Sequence, residues 1–442
     1  MRDLVILAMM FVFVPLALSN ACAAYLLWGW TAVVALNLYV FGFMREVPFN
    51  LIFAVIAITL IGLGFDRKGR RFALSRTAVL LILFALQATI SAAFAYEGTV
   101  RNVELYTNLL KMIFFCLLMP MVITNRLRVH ALVLAIALGM GFHSLSEGLK
   151  FFASGGAHHV QGVEKFGDNN HFALAVTMII PLLLYLYRYS QNRLVRFASL
   201  SVAVVTVAAV VGTHSRGGFM CMSLMGAWMA LHSRRKGLAM VGLALGVVLT
   251  IAMAPSSWSE RMNTIKEVKD DTSFMVRVVA WKASSQMALA RPLTGGGFHA
   301  IQNQYVWDMY RESNGLLGFV PTDYRPQVAF AAHSIYFEVL GDMGFVGLFI
   351  FLAILANVFL TRRRILRLCS AHGGRLKWAT DLSNMLAAAV LAYIIGAAAL
   401  SLAYFEVLYI YAMLMEVLAM QVSRIALSPV NDIEAQPMAG AY

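Results

Sequence analysis

The sequence predicts an all-α, polytopic membrane protein with about 12 transmembrane helices and one long, partly helical loop outside the membrane. Three observations carry this. The 442 residues are 60% hydrophobic and only 13% charged, with a mean hydropathy of +0.74, outside the range of soluble globular domains. Apolar stretches of about 16 to 25 residues, the length a helix needs to cross hydrocarbon, follow one another without the alternation of a β-barrel. Third, the basic residues collect in short loops between those stretches, so the net charge of +13 reflects membrane orientation rather than nucleic-acid binding.

In order, the spans fall near 3–19, 21–43, 49–65, 76–95, 108–124, 130–152, 170–187, 195–212, 217–232, 238–254, 334–360, 382–403 and 405–423. The first is not read as a cleaved signal peptide, because a membrane segment follows almost at once. Arg67, Lys68, Arg70, Arg71 and Arg76 form the first basic loop, followed by Arg126 and Arg128, by Arg188, Arg193 and Arg196, and by Arg234, Arg235 and Lys236. The last holds Arg362, Arg363, Arg364, Arg367, Arg375 and Lys377. The positive-inside rule makes these loops cytoplasmic and sends 96–107, 153–169, 213–216 and 255–332 to the opposite compartment. Three apolar stretches precede Arg67; three crossings would put Met1 outside and two would put it inside. The favoured reading is twelve crossings with both termini cytoplasmic. The chain thus divides into an N-terminal bundle (1–254), a loop subdomain (255–332), C-terminal spans (333–427) and a polar cytoplasmic tail (428–442).

Inside the insert, VRVVAWKASSQMALA reads as a helix, with Asp271, Thr272 and Ser273 offering capping oxygens and Arg291-Pro292 stopping it. Arg277 and Trp281 share one face of it. TGGGF follows as a flexible turn, then an aromatic helix, IQNQYVWDMYRE, then an irregular stretch with Pro321 and Pro326. Of the four cysteines, Cys22, Cys116 and Cys221 lie in spans and Cys369 in a basic loop. The sequence therefore offers neither a disulfide framework nor metal-type Cys/His spacing, and no metal or cofactor is expected.

A polar insert framed by spans is where a membrane enzyme can keep polar chemistry. Arg216, in VVGTHSRGGFM, sits at a boundary where an arginine often merely snorkels, but two glycines follow it and let backbone approach closely. Arg277 is either a solvated or ion-paired helix residue or a bidentate phosphate ligand. Arg291 carries the same two readings and also sits where a cation balances a helix dipole. His333 opens a span at its outer end, where an imidazole can meet lipid-borne and aqueous substrates and abstract a proton near neutrality. Tyr336 and Phe337 follow it, with Glu338 one turn on. In GDNNHFALA, Asp168, Asn169, Asn170 and His171 read as an N-cap cluster or as ligands for sugar hydroxyls.

These pieces, SRGG at 215–218, the R-x-x-x-W of Arg277 and Trp281, RPLTGGGF at 291–298 and HSIYFEVLGDMGFVG at 333–347, resemble in order and spacing the O-antigen ligase and O-antigen polymerase superfamily of bacterial envelope glycosyltransferases. The resemblance runs from the opening MRDL through the last motif and is closest to ligases, including O-glycosylation ligases associated with exosortase systems. It implies an inner-membrane enzyme whose site faces the periplasm. The implied reaction moves a glycan from undecaprenyl diphosphate to a sugar hydroxyl of lipid A–core, with a protein or a growing glycan as alternative acceptors. By the same resemblance His333 is the general base and Arg216 and Arg277 hold the diphosphate, with inversion and without a metal. Asp168, Asn169, Asn170 and Tyr336 are left as contacts for sugar or acceptor. A transporter is the alternative from another class; it predicts charge or broken helices near mid-membrane rather than cations gathered at one face.

Overall fold

A computed structural model describes residues 2–65, 74–96, 100–162, 165–233, 235–252, 272–320 and 326–427. The polar tail 428–442, the first part of the insert with Asp271, and Arg67, Lys68, Arg70 and Arg71 lie outside the described residues, as do the side chains of Thr272 and Ser273.

The first helices are α1 (Arg2–Ser19), α2 (Ala21–Val34) and α3 (Phe49–Gly62). Then come α4 (Arg76–Ala93), α5 (Val100–Val122), α6 (Arg126–Ala153), α7 (Asn169–Thr177), α8 (Ile180–Tyr189), α9 (Arg193–Gly212), α10 (Arg216–Leu231) and α11 (Lys236–Ala252). The insert carries α12 (Thr272–Ala290) and α13 (Gln304–Tyr310), and α14 (Ile335–Ser370), α15 (Lys377–Gly396) and α16 (Glu406–Leu427) complete the bundle. Among the described residues, nine helices are long and apolar enough to cross a membrane, and Ala21–Val34, Phe49–Gly62 and Lys236–Gly246 are shorter apolar helices.

Local chemistry fixes where the spans begin. Asn20, Ser75, Asn125, Asp168, Asn192 and Ser215 each accept first-turn amides at the starts of α2, α4, α6, α7, α9 and α10, satisfying donors that hydrocarbon cannot. The span expected at 170–187 is broken just before Pro181, which lacks the N–H an unbroken helix needs. The span expected at 21–43 stops at Val34, where Ala35 turns left-handed (φ 53°) and two 3₁₀ turns follow. Asp3 accepts from the amides of Gly42 (3.2 Å) and Met44 (3.3 Å), and Asn50 donates to the Trp28 carbonyl (3.0 Å). The start of α1, the end of α2 and the start of α3 therefore share one face. The end of α16 lies at the other, where Gln421 donates to the Ile123 carbonyl (3.1 Å). Counted this way, the start of α1 and the end of α16 lie on opposite faces, whereas the sequence predicts both termini on one; Met1 and the tail themselves lie outside the described residues.

The large core runs through the bundle, while the insert has a core of its own. There Val279, Ala283 and Met287 of α12 pack on Ile301, Val306 and the fully buried Trp307, whose indole donates to the Pro326 carbonyl at 3.0 Å. Tyr96, just beyond α4, joins this cluster and pairs its hydroxyl with that of Tyr310.

Candidate functional site

The insert is held to the bundle by a break in α14. Gly344 has φ 68° and ψ −167°, a conformation open to glycine, which interrupts the helix and frees the carbonyls before it. The RPLTGGG segment supplies the missing donors: Gly296 N–H bonds Gly341 O (2.9 Å) and Gly297 N–H bonds Asp342 O (3.0 Å). From α4, Ser91 Oγ also donates to Asp342 O (2.6 Å), and Gln87 Nε2 donates to Met343 O (3.0 Å) and Leu293 O (2.5 Å). In return, Phe345 N–H bonds Pro292 O at 2.9 Å. The backbones meet so closely that a Cβ on Gly295 would lie 2.5 Å from Asp342 O, and one on Gly344 would lie 2.5 Å from Pro292 O. The run of glycines that reads as a flexible turn is a tightly fitted clasp.

His333 sits just above this break, half-buried, with a left-handed backbone (φ 43°), its N–H on Ser401 Oγ at 2.9 Å. The Trp281 indole donates to the preceding carbonyl, Ala332 O, at 2.7 Å and stacks on Phe337 (centroids 5.3 Å, 10° between planes). The Arg277/Trp281 face of α12 is thereby turned toward the start of α14. Burial lowers the His333 pKa, the charges of Arg277 and His171 lower it further, and Asp168 and Glu338 act the other way. The imidazole is therefore neutral near pH 7 and able to accept a proton. His214, two residues before Arg216, has a similar left-handed backbone (φ 53°), and each histidine is followed by the serine that N-caps a helix.

Arg216 starts α10 beside the α7 cap. Ser215 Oγ donates to Asn170 Oδ1 (2.8 Å) and accepts from Gly218 N–H (3.0 Å), and Asn169 Nδ2 donates to Thr213 O (2.9 Å). Asp168 accepts the amides of Asn170 and His171, both at 2.8 Å. Burial alone would raise the Asp168 carboxyl, but these bonds and the His171 ring hold it below the usual range. Asp168, Asn169 and Asn170 thus join the start of α10, where Arg216 stands, to the start of α7, whose Asp168 and His171 charges act on His333. Among the described residues, neither Arg216 nor Arg277 has a carboxylate within ion-pair distance, in contrast to Arg188 with Asp381 (3.0 Å).

The remaining expected residues have other partners. Arg291 donates to Phe94 O (2.7 Å), with its guanidinium 3.5 Å over the Tyr96 ring. Tyr336 donates its hydroxyl to Ile394 O (2.9 Å), tying α14 to α15.

Sequence reasoning missed a buried polar network behind His333. Glu338 Oε1 meets His299 Nε2 at 2.8 Å and its Oε2 accepts from Ala403 N–H at 2.9 Å. Asp342 Oδ1 accepts from His299 N–H at 3.0 Å and Oδ2 from the Tyr404 hydroxyl at 2.7 Å. His299, Glu338 and Asp342 bring donor atoms within 4.8 Å of one another, as a metal site would. Every carboxylate oxygen already has a proton donor, so the set fits a self-satisfied polar joint better than a cation site. Spacing gives one half of the signal, since Glu338 and Asp342 are four apart on one helix. The network borders a cavity of about 780 Å³ also lined by His171, Ser401, Lys165 and Lys111.

Comparison with known families adds two matches. Residues 201–352 match the family model described as O-Antigen ligase, and residues 1–191 match one described as a family of unknown function. No curated protein matches the chain.

Proposed function

Starting from a chain that is a member of the O-antigen ligase and polymerase superfamily, we propose that it transfers a glycan from undecaprenyl diphosphate to a sugar hydroxyl of lipid A–core, at the periplasmic face of the inner membrane. The observation that carries this reading is a half-buried imidazole kept neutral by burial and by the nearby charge of Arg277, which among the described residues has no carboxylate within ion-pair distance. In the proposed mechanism His333 takes the acceptor proton and the freed oxygen attacks the anomeric carbon with inversion. Arg216 and Arg277 gather the charge that develops on the departing diphosphate, which the guanidinium fork suits. Diphosphate is a good leaving group, so this chain's own cations and base suffice for the step without a metal. Arg291 enters as the residue that anchors the clasp to α4, since its guanidinium is engaged at Phe94 and Tyr96.

The break in α14 does not favour transport. Its freed carbonyls are taken by Gly296, Gly297, Ser91 and Gln87 rather than left open to an ion. The test is reconstitution with undecaprenyl-diphosphate glycan, offering lipid A–core, free repeat unit and a protein acceptor separately, with and without EDTA. Glycan on lipid A–core with EDTA present is the expected result. Transfer to protein or repeat unit alone would reassign the acceptor, and activity restored only by a particular metal ion would overturn the metal-free mechanism.

A further inference from the structure

The cavity beside the proposed reaction centre holds a cation that the chemistry above leaves unused. Lys111 shares one face of α5 with Asn108, Met112 and Phe115, and all four line the cavity, as do His171, His299, Glu338 and Ser401. Eleven residues, about 16 Å of helix, separate the Cα of Lys111 from Val122 at the basic end of α5, which puts its backbone about midway along a span through a hydrocarbon zone about 30 Å thick. An ionised side chain at that depth is costly and marks a ligand site by default. Among the described residues its ammonium meets one weak acceptor, Asn108 Oδ1 at 3.4 Å, and no carboxylate within ion-pair distance. The cavity's other lysine is satisfied, because Lys165 bonds Glu406 Oε1 (2.8 Å) and Ala32 O (2.6 Å).

The same cavity has a second unsatisfied group. Among the described residues His171 Nε2 is buried without a hydrogen-bond partner, while Nδ1 lies 3.1 Å from Asp168 Oδ1. Asn37 and Asn50 direct their amide N–H groups to the protein's own carbonyls, which leaves carboxamide oxygens to accept from ligand hydroxyls. Leu109, Phe115 and Ile410 give an apolar wall. Cation, hydroxyl acceptors and apolar wall together match an anionic glycolipid.

We infer that this cavity seats the acceptor, with Lys111 gripping a phosphate ester on it and His171 Nε2 meeting a hydroxyl near the base. The inference rests on the transferase reading above and deepens it, since a neutral peptide acceptor has no group for Lys111. The cation selects the acceptor; the arginines hold the donor.

The test is binding without donor. The full chain in phosphatidylcholine nanodiscs is titrated with lipid A–core and with its dephosphorylated counterpart, using wild type, Lys111→Gln and Lys111→Arg. Wild type is expected to prefer the phosphorylated form about 10- to 100-fold, the worth of one hydrogen bond to a charged group. Lys111→Gln should erase that preference and Lys111→Arg should keep most of it. The inference is overturned by failure of wild type to bind lipid A–core, by equal binding of the two forms, or by a Gln variant that weakens both alike. Phosphatidylglycerol that competes equally, and does so through Lys111, would overturn it too, by assigning the cation to bulk phospholipid. Because no donor is present, loss of glycan transfer in the reconstitution bears on the transferase reading alone, whereas loss of phosphate preference bears on this one.

Discussion

His333 holds a backbone conformation that costs an L-residue about 1 kcal/mol or more, and the indole of Trp281 and the hydroxyl of Ser401 pin the chain on either side of it. Strain kept at that price in an otherwise regular helix start indicates that the direction of the ring matters. His333→Ala should fold and still bind donor while transferring glycan about 10²- to 10⁴-fold more slowly; lost donor affinity with an unchanged chemical step would make it a binding residue. The pH dependence follows from the lowered pKa. The imidazole acts when neutral, so the rate rises as pH climbs through that lowered value and is level by neutrality. Arg277→Gln removes a cation that favours the neutral ring, so the His333 pKa should rise and the acid limb of log kcat should move to higher pH. A limb that stays in place would separate Arg277 from the base. Arg216, Arg277 and His333 stand out in the sequence as candidates because permanent charge and imidazole contrast with apolar spans. The engagement of Arg291 was not, because its partners Phe94 and Tyr96 lie on the far side of the bundle sequence and carry no complementary charge.

At the level of elements, the spans were readable because hydrocarbon demands long apolar helices, and the insert helix was readable from its periodicity. The break in α14 was hidden. GDMGFVG continues the apolar composition of its neighbours, and the donors that stabilise the break come from a segment about fifty residues earlier and from α4. Gly344→Ala tests it. A Cβ there meets Pro292 O and a left-handed backbone at once, so the variant should lose about 2–4 kcal/mol of stability. A thermal unfolding scan in detergent reads the loss. An unchanged transition would mean that the insert does not depend on the clasp.

Across the whole molecule, the alternation of basic loops and the position of the insert predict accessibility. All four native cysteines are buried, so an introduced cysteine labels against a low background. A membrane-impermeant thiol reagent added from outside should reach Asn303→Cys and not Arg363→Cys; the reverse would invert the orientation. The helices before Arg76 defeated a count of crossings from sequence alone, since α2 and α3 are each 14 residues, shorter than a full membrane span. Helix α14 also serves as a depth gauge. Counted back from Arg362, the eighteen residues to the break at Gly344 rise about 27 Å, close to the thickness of the hydrocarbon, which puts the break near the edge of the lipid headgroups. A polyprenyl diphosphate rides at that height because its tail cannot leave the hydrocarbon. On the proposed transferase reading the donor would arrive by lateral diffusion in two dimensions, and turnover should follow its mole fraction in the bilayer rather than its molar concentration in the tube.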